Sequence, residues 1–354
     1  MTLLQTFRVP DLVTGTGYDD RLGRAMIRAW KVDGVFRVAV PGPQRHALRQ
    51  ALAAGRRFFA RPDSLKSRCV SDLTYSGHAP ATTTVGFPDA APETVPESFT
   101  VCKDVPLQDA RVLARWPCHG PVPWPDTEYR RAMKSCLPGL CSLGDRLLRL
   151  AALGLGLADM ERLTALTFDG WHHARMLRHP PAGTGARTGY GLLLITAQEE
   201  QGGLAVRPPV KGEKRYRNWL AEESTSGMYQ SEPPWIEAGS EPGHGTLTVL
   251  PGDLMQYLTG GELLATPHRT LPGERERVSL TYCHEPNFAA CLRPLTGDAD
   301  AARPGYLHYG SHFTQVFTRH YPERITTRRI VAEERLAVLD DLRHTAGWPA
   351  FEVC

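Results

Sequence analysis

The residues with the clearest potential for chemistry are one histidine and two arginines that stand in short, distinctive stretches. His268 lies between a proline and an arginine, and nine residues later Arg277 opens an Arg-Val-Ser triplet that ends at Ser279. Upstream, Arg187 opens an Arg-Thr-Gly triplet that ends at Gly189. A neutral imidazole can ligate a transition metal, whereas a guanidinium is always protonated, has no lone pair and binds carboxylates bidentately. The set therefore offers one metal ligand and two anion-binding groups.

The apolar periodicity predicts which elements position these residues. Helical spacing predicts helices over 22–32, 46–59, 128–157, 312–320 and 333–344, and a Pro-Gly pair at 138–139 should kink or split the third. Short strands are predicted over 35–40, 174–178, 190–197, 204–207, 247–250 and 277–284. Residues 76–96 lack periodicity and are predicted to be a long loop, of a length that often forms a functional lid. Many short strands with Gly/Pro turns favour a mainly β protein with flanking helices, built as a barrel or jelly roll.

We predict one domain over residues 1–354. Its parts would be a mostly helical N-terminal frame (1–165) with the lid loop 76–96, a jelly-roll core (166–290) and a C-terminal helical extension (291–354). A net charge of +3 without a basic block argues against nucleic-acid binding. The most apolar helical stretch, 147–157, is too short to span a bilayer, so no membrane association is expected. No signal peptide is evident and the eight cysteines are scattered, which predicts reduced thiols and a cytoplasmic location. The sequence does not predict an oligomeric state.

Long and idiosyncratic segments make the chain resemble the isopenicillin-N-synthase branch of the 2-oxoglutarate-dependent oxygenases, and within that branch the bacterial ethylene-forming enzymes. The segments are CVSDLTYSG (69–77), WPCHGPVPWP (116–125), GWHH (170–173), GGL (202–204), RPPVKGEKR (207–215), HEPNF (284–288) and YPERITT (321–327). The resemblance implies a double-stranded β-helix (jelly roll) that binds 2-oxoglutarate and Fe(II). It also implies conversion of 2-oxoglutarate to ethylene and CO2, with hydroxylation of L-arginine.

The metal motif departs from that family. By resemblance, Arg187 stands where the proximal His of a His-x-Asp motif belongs, Gly189 stands where the carboxylate belongs, and His268 alone survives. Loss of the carboxylate alone is tolerated in related halogenases. Loss of the histidine as well leaves one imidazole, which cannot hold Fe(II) against water and buffer. The resemblance therefore supports 2-oxoglutarate as a ligand but not an ordinary iron site.

Other positions follow or leave the family pattern. By resemblance, Arg277 and Ser279 clamp the co-substrate carboxylate, and the retained pocket positions are Arg175, Tyr190, Tyr309, Arg319 and Tyr321. A substrate-gripping Glu-x-Thr becomes Thr84 and Gly86, while His179 and Cys283 replace two phenylalanines. Strand alternation places His179 on the same inward face as Leu177 and Arg175. The arginines make the pocket cationic, which favours a small anionic, dicarboxylate ligand over free arginine.

Two residues admit more than one interpretation. Arg187 could partly replace the iron by binding the carboxylate of the 2-oxo acid in a bidentate pair, or it could point to solvent. His179 is the best candidate for a new metal ligand, with His268 and Cys283, but a pocket histidine that only makes hydrogen bonds is the simpler alternative. His172 and His173 are expected to be structural.

Three functions remain open from the sequence. The first, which we favour, is an enzyme with an ethylene-forming-enzyme-like pocket whose chemistry, with catalytic candidates Arg187, His268 and His179, uses no metal or a non-standard one. The second is an ordinary Fe(II)/2-oxoglutarate oxygenase in which another side chain replaces the lost ligands. The third is a catalytically inactive protein that binds an anionic metabolite.

Overall fold

A computed structural model describes residues 4–84, 93–199, 202–212, 225, 229, 234–239, 245–295 and 306–344. Helices in these ranges are α1 (Gly17–Asp33), α2 (Gly42–Phe59), α3 (Asp63–Lys66), α4 (Ala110–Leu113), α5 (Thr127–Gly154), α6 (Asp253–Leu258), α7 (Tyr309–His320), α8 (Ile325–Ala332) and α9 (Arg335–His344). A 3-10 turn spans Thr164–Thr167. None of the described helices is both long and apolar enough to cross a membrane.

Fifteen strands are seen in the same ranges. They are β1 (Thr6–Phe7), β2 (Phe36–Ala39), β3 (Gly77–Ala79), β4 (Thr82–Thr84), β5 (Glu93–Val95), β6 (Glu97–Val101), β7 (His173–His179), β8 (Leu193–Gln198), β9 (Leu204–Val206), β10 (Ile236–Glu237), β11 (Thr246–Pro251), β12 (His268–Thr270), β13 (Arg277–His284), β14 (Cys291–Leu292) and β15 (Leu307–His308). The strand predicted over 277–284 is confirmed residue for residue, and those around 174–178, 204–207 and 247–250 are confirmed to within one residue at each end.

Two facing sheets form the jelly roll. The large sheet has the order β1-β2-β11-β8-β13-β7-β6-β3 and is antiparallel except for the β1–β2 pair. The small sheet has the order β10-β9-β12 and is extended past β12 by a bridge between Arg187 and His268. A buried apolar cluster that includes Leu194, Leu204 and Val206 joins the two sheets. The predicted jelly-roll fold is therefore confirmed.

The helices cover the outer face of the large sheet. Helices α1 and α2 pack on α5, and α2 also contacts β7 and β13. Trp30 of α1 is almost fully buried, and its indole N–H donates to the Val249 carbonyl of β11. Helix α1 begins with a capping box between Thr16 and Asp19 and ends at Gly34, whose φ of 72° is the left-handed conformation that glycine accommodates. These contacts make the sheet's outer face part of the main core.

Two predictions about the N-terminal half are wrong in detail. Helix α5 runs through Pro138 without a split, since packing against α1 and α2 holds both halves in line. The segment 76–96 is not one loop: β3 joins the large sheet and β4 pairs with β5, while residues 85–92 lie outside the described ranges. The N-terminal region, for which a mostly helical frame was predicted, also supplies β1, β2, β3 and β6, which make up half of the large sheet. In the C-terminal half, helices α6 and α8, six and eight residues long, were not predicted.

A buried ionic cluster fixes β6 to its neighbours. Glu97 is 4% exposed and lies 2.6 Å from Lys66 Nζ, 2.8 Å from His78 Nε2 and 3.0 Å from Arg178 Nε. Burial raises the pKa of Glu97, but the hydrogen bonds from His78 and Lys66 outweigh it, so the pKa lies below its usual value. The cluster ties α3, β3 and β7 to β6, which follows the 76–96 segment.

Replacing this carboxylate should cost stability in a pH-dependent way. Glu97→Gln leaves Lys66 without its buried counter-charge, so we expect a loss of about 3–5 kcal/mol in the free energy of unfolding at neutral pH. Because the pKa of Glu97 is lower in the folded state, its contribution is present above the unfolded pKa of about 4.3 and is lost as pH falls through the folded pKa. Urea denaturation across this pH range measures both effects.

The matched control is Glu128→Gln, which removes an exposed glutamate paired with Arg57. That pair is solvated, so we expect a change below about 1 kcal/mol. Equal losses for the two variants would contradict the assigned role of Glu97.

Candidate functional site

A cavity of about 560 Å³ lies between the two sheets. Its wall on the large sheet comes from alternate residues of β7, β8 and β13, which point inward because strand side chains have a period of two. These residues are Arg175, Leu177, His179, Leu194, Thr196, Gln198, Arg277, Ser279, Thr281 and Cys283. The small sheet contributes Leu204, Arg187, His268, Arg269 and Thr270, and the C-terminal end of α7 contributes Val316, Phe317, Arg319 and His320. The predicted inward face of Arg175, Leu177 and His179 is confirmed.

Arg187 and His268 are direct neighbours in the small sheet. The Arg187 N–H donates to the His268 carbonyl at 3.1 Å, and the His268 N–H donates to the Arg187 carbonyl at 2.9 Å. His268 Nδ1 lies 3.2 Å from the Thr266 carbonyl, which leaves Nε2 as its other hydrogen-bonding or ligating atom. Burial, with a smaller contribution from the Arg187 guanidinium, outweighs the effect of that carbonyl and lowers the pKa of His268 to about 4. A cation therefore stands beside the one imidazole of the metal motif.

The space beside Gly189 is filled by an apolar side chain. A Cβ atom added to Gly189 would lie 2.3 Å and 2.5 Å from the two Leu194 Cδ atoms. Leu194 is 5% exposed and belongs to the buried cluster between the sheets. The position that would carry a metal-binding carboxylate thus has neither a ligand atom nor room for one while Leu194 keeps its place.

Arg277 lies in a close-fitting backbone cradle. Its guanidinium donates to the Leu271 carbonyl and is buried, with 7% of the residue exposed. Gly203 has a φ of 99°, and a Cβ atom there would lie 1.8 Å from Arg277 Nη1. Glycine is therefore required at this position both by the backbone conformation and by the guanidinium. Among the described residues, no carboxylate lies within ion-pair distance of Arg277.

His179 has both ring nitrogens engaged by hydroxyl groups. Its Nε2 lies 2.8 Å from Ser279 Oγ, and its Nδ1 lies 3.0 Å from Thr270 Oγ1. Burial, with smaller contributions from the Arg187 and Arg277 guanidiniums, lowers the pKa of His179 to about 3. The ligand atoms of His179, His268 and Cys283 do not all lie within 4.8 Å of one another. The geometry favours a neutral hydrogen-bonding histidine over a metal ligand.

The aromatic residues predicted for the pocket divide into two groups. Tyr321 lines the cavity and its hydroxyl accepts from Arg175 Nη2 at 3.0 Å. Tyr190 also lines the cavity, and its hydroxyl lies 3.2 Å from His173 Nε2. Tyr309 is fully buried and does not line the cavity.

Some lining residues were missed from the sequence. Thr196 and Thr281 follow from alternation along the predicted strands, whereas Gln198 lies one residue past the predicted end of its strand. His320 had no such signal; its Nδ1 lies 2.7 Å from the Val316 carbonyl, and burial lowers its pKa to about 4. Of the altered substrate positions, Gly86 and the side chain of Thr84 lie outside the described residues.

Comparisons with known proteins agree with the fold. The sequence is 47% identical to the 2-oxoglutarate-dependent ethylene/succinate-forming enzyme of Ralstonia nicotianae, over 98% of this chain and all of that protein. Residues 10–127 match the family described as non-haem dioxygenase in morphine synthesis N-terminal. Among solved structures, a 2OG-Fe(II) oxygenase family protein from Caulobacter crescentus is similar with a TM-score of 0.68 and 16% identity, covering 90% of this chain and 100% of that one. A full-length Neurospora crassa protein in complex with alpha-KG gives a TM-score of 0.66 and 17% identity, covering 89% and 96%.

The two-sheet jelly roll is thus the fold of the 2-oxoglutarate/Fe(II) oxygenases. The chain belongs to the 2-oxoglutarate-dependent oxygenase family that includes the ethylene/succinate-forming enzyme. That family implies Fe(II), and the residues at the motif do not fit it: Arg187 has no lone pair, Gly189 has no side chain, and Leu194 fills the adjoining space.

Restoring the iron site should require three changes. We expect no visible metal-to-ligand charge-transfer band on anaerobic addition of Fe(II) and 2-oxoglutarate to the unmodified protein. Arg187→His with Gly189→Asp should give a weak band, because the new carboxylate must displace Leu194. Adding Leu194→Ala should strengthen the band and tighten Fe(II) binding about tenfold or more. Leu194→Ala alone is the control and should give no band; an equally strong band in the unmodified protein would refute this account.

Proposed function

We propose that this protein binds 2-oxoglutarate, or a dicarboxylate of similar size, in the cavity between its sheets, and that its chemistry does not depend on the iron triad of its family. The observation that carries the proposal is the composition of the cavity wall. Five arginines line it, at positions 175, 187, 269, 277 and 319, and no aspartate or glutamate does among the described residues. A wall of this kind attracts anions and repels cationic ligands such as free arginine.

Arg277 is the proposed anchor for one carboxylate. It lies in the Gly203 cradle, lines the cavity and has no carboxylate partner in the described part of the chain. Burial lowers its pKa, which reflects the cost of desolvating an unpaired guanidinium. A bound carboxylate would offset that cost through a charge-assisted pair.

Arg187 is the proposed contact for the 2-oxo-acid end. By resemblance it stands at the position of a metal ligand, and it lies beside His268. His179 is close enough to Arg187 and Arg277 that both guanidiniums lower its pKa. His179, Ser279 and Thr270 form a neutral hydroxyl-imidazole chain along the wall. Because this chain is uncharged, it can orient a polar ligand without adding a charge that the ligand must balance.

The iron-dependent alternative finds no substitute ligand in the described residues. The groups of three His, Cys, Asp or Glu side chains close enough to hold a metal there do not include His268 or His179. This supports a chemistry that does not use the iron triad of the family. Turnover itself requires a direct test.

Calorimetric titration with 2-oxoglutarate tests the anchor. Removing a charge-assisted pair costs about 1.5–3 kcal/mol, so Arg277→Gln should weaken binding about tenfold to a hundredfold. Arg187→Ala should also weaken it. The matched control is Arg275→Gln, an exposed arginine two residues away, which should leave the dissociation constant unchanged. Equal affinity of the unmodified protein and the Arg277 and Arg187 variants would exclude this mode of binding.

Ethylene formation should be absent. Incubation of the unmodified protein with Fe(II), 2-oxoglutarate and L-arginine should give no ethylene by head-space gas chromatography, because two of three family ligands are missing. The relative from Ralstonia nicotianae serves as the positive control. Ethylene at a comparable rate would restore the iron-dependent oxygenase as the better interpretation.

A further inference from the structure

We propose that His173, Cys283 and Glu285 form a binding site for one divalent cation of the zinc type, beside the cavity that Cys283 lines. One donor atom of each residue lies within 4.8 Å of the donor atoms of the other two. The site is separate from Arg187, Gly189 and His268, and it does not rest on the proposed function.

Strand register brings the three residues together. His173 and Cys283 are directly opposite each other in the β7–β13 pair. Cys283 belongs to the inward-facing row of β13 that begins at Arg277, and Glu285 follows it just beyond the strand's end. The inward row of β13 therefore runs from the anion-binding arginine to the proposed metal site.

The carboxyl group of Glu285 lacks a partner that would explain its burial. The residue is 0% exposed, and neither carboxyl oxygen makes a well-formed hydrogen bond. Burial raises the pKa of the carboxyl group, and the Tyr309 hydroxyl lies close enough to oppose that rise, but the geometry of this hydrogen bond is poor. His173 Nδ1 lies 3.9 Å from Glu285 Oε1 and makes no well-formed hydrogen bond, although the Trp171 backbone interacts with the ring and partly offsets the lowering of its pKa by burial. Buried polar groups left in this way are costly, and a cation would satisfy them together.

The donor set suits zinc. Thiolate, imidazole and carboxylate are its usual ligands, and three protein ligands leave a fourth position open. The two anionic ligands would neutralise the charge of a divalent ion, with release of the thiol and carboxyl protons on binding. The Tyr190 hydroxyl, 3.2 Å from His173 Nε2, can accept a hydrogen bond from Nε2–H; this tautomer leaves the Nδ1 lone pair for the metal. Cys283 lines the cavity, which provides the entry route.

A second sulfur–histidine cluster lacks this chemistry. Cys141, His172 and His284 are equally close together. However, His172 Nδ1 accepts the Glu285 backbone N–H at 2.9 Å, so the neutral ring carries its proton on Nε2. His284 Nε2 is already engaged by Asp145 at 3.1 Å, and the group contains no carboxylate that could neutralise a divalent ion together with the thiolate. This cluster therefore serves as a control.

Cobalt(II) is the probe, because a thiolate ligand produces a near-ultraviolet sulfur-to-cobalt charge-transfer band. Titration of the metal-stripped, full-length protein should bind one equivalent with this band and with the visible bands of a four-coordinate ion. Cys283→Ser should abolish the charge-transfer band, and Glu285→Gln should weaken binding at least tenfold. Zinc should displace the cobalt and raise the melting temperature.

Cys141→Ser and His268→Ala should keep the band, which separates the proposed site from the second cluster and from the family's metal position. Absence of the band in the unmodified protein, or its survival in Cys283→Ser, would overturn the proposal. Circular dichroism checks that each variant folds. If Cys283→Ser does not fold, Glu285→Gln, which preserves side-chain volume, carries the test: unchanged affinity in that variant would equally overturn the proposal.

Discussion

The position of β13 between β7 and β8 determines the interior of this protein. All eight residues of β13 pair with one or both neighbours, and the strand is buried almost throughout. Because a shift of one residue would turn every inward side chain outward, the register is strongly specified. That single register places Arg277 opposite His179, Thr281 opposite Arg175, and Cys283 opposite His173. The arginine-lined wall and the buried cluster of His173, Cys283 and Glu285 are consequences of the same pairing.

Strands and inward-facing positions that depend on local periodicity were predicted from the sequence. Those that depend on contacts between distant segments were not. Strand β13 and the inward face of β7 follow from alternation, so the positions of Arg277 and His179 in the cavity could be foreseen. Strands β1, β3 and β6 have only two to five residues, and pairing with distant segments defines them. The partners of His179, the filling of the space beside Gly189 by Leu194, and the surroundings of Glu285 require side-chain packing that one sequence does not display.

Packing and electrostatics act together around Gly189. Once Gly189 carries no side chain, Leu194 can occupy the space beside it and join the apolar cluster between the sheets. Leu194 then contributes to the stability of the core, so its packing opposes any side chain that would enter the space beside Gly189. A cationic Arg187 beside His268 adds an electrostatic barrier of its own. Steric and electrostatic effects therefore act in the same direction.

The large sheet also has a consequence for biosynthesis. The Trp30 side chain bonds to a carbonyl 219 residues further along the chain, and β2 pairs with β11, so the N-terminal strands emerge from the ribosome long before their partners exist. Helices α1 and α2 can meet α5 earlier, but the edge of β2 that receives β11 stays unpaired until most of the polypeptide has been made. Such late, long-range pairing slows folding and leaves apolar strands open to aggregation. We therefore expect yield during expression to depend more on the rate of translation and on chaperones than on the stability of the finished fold.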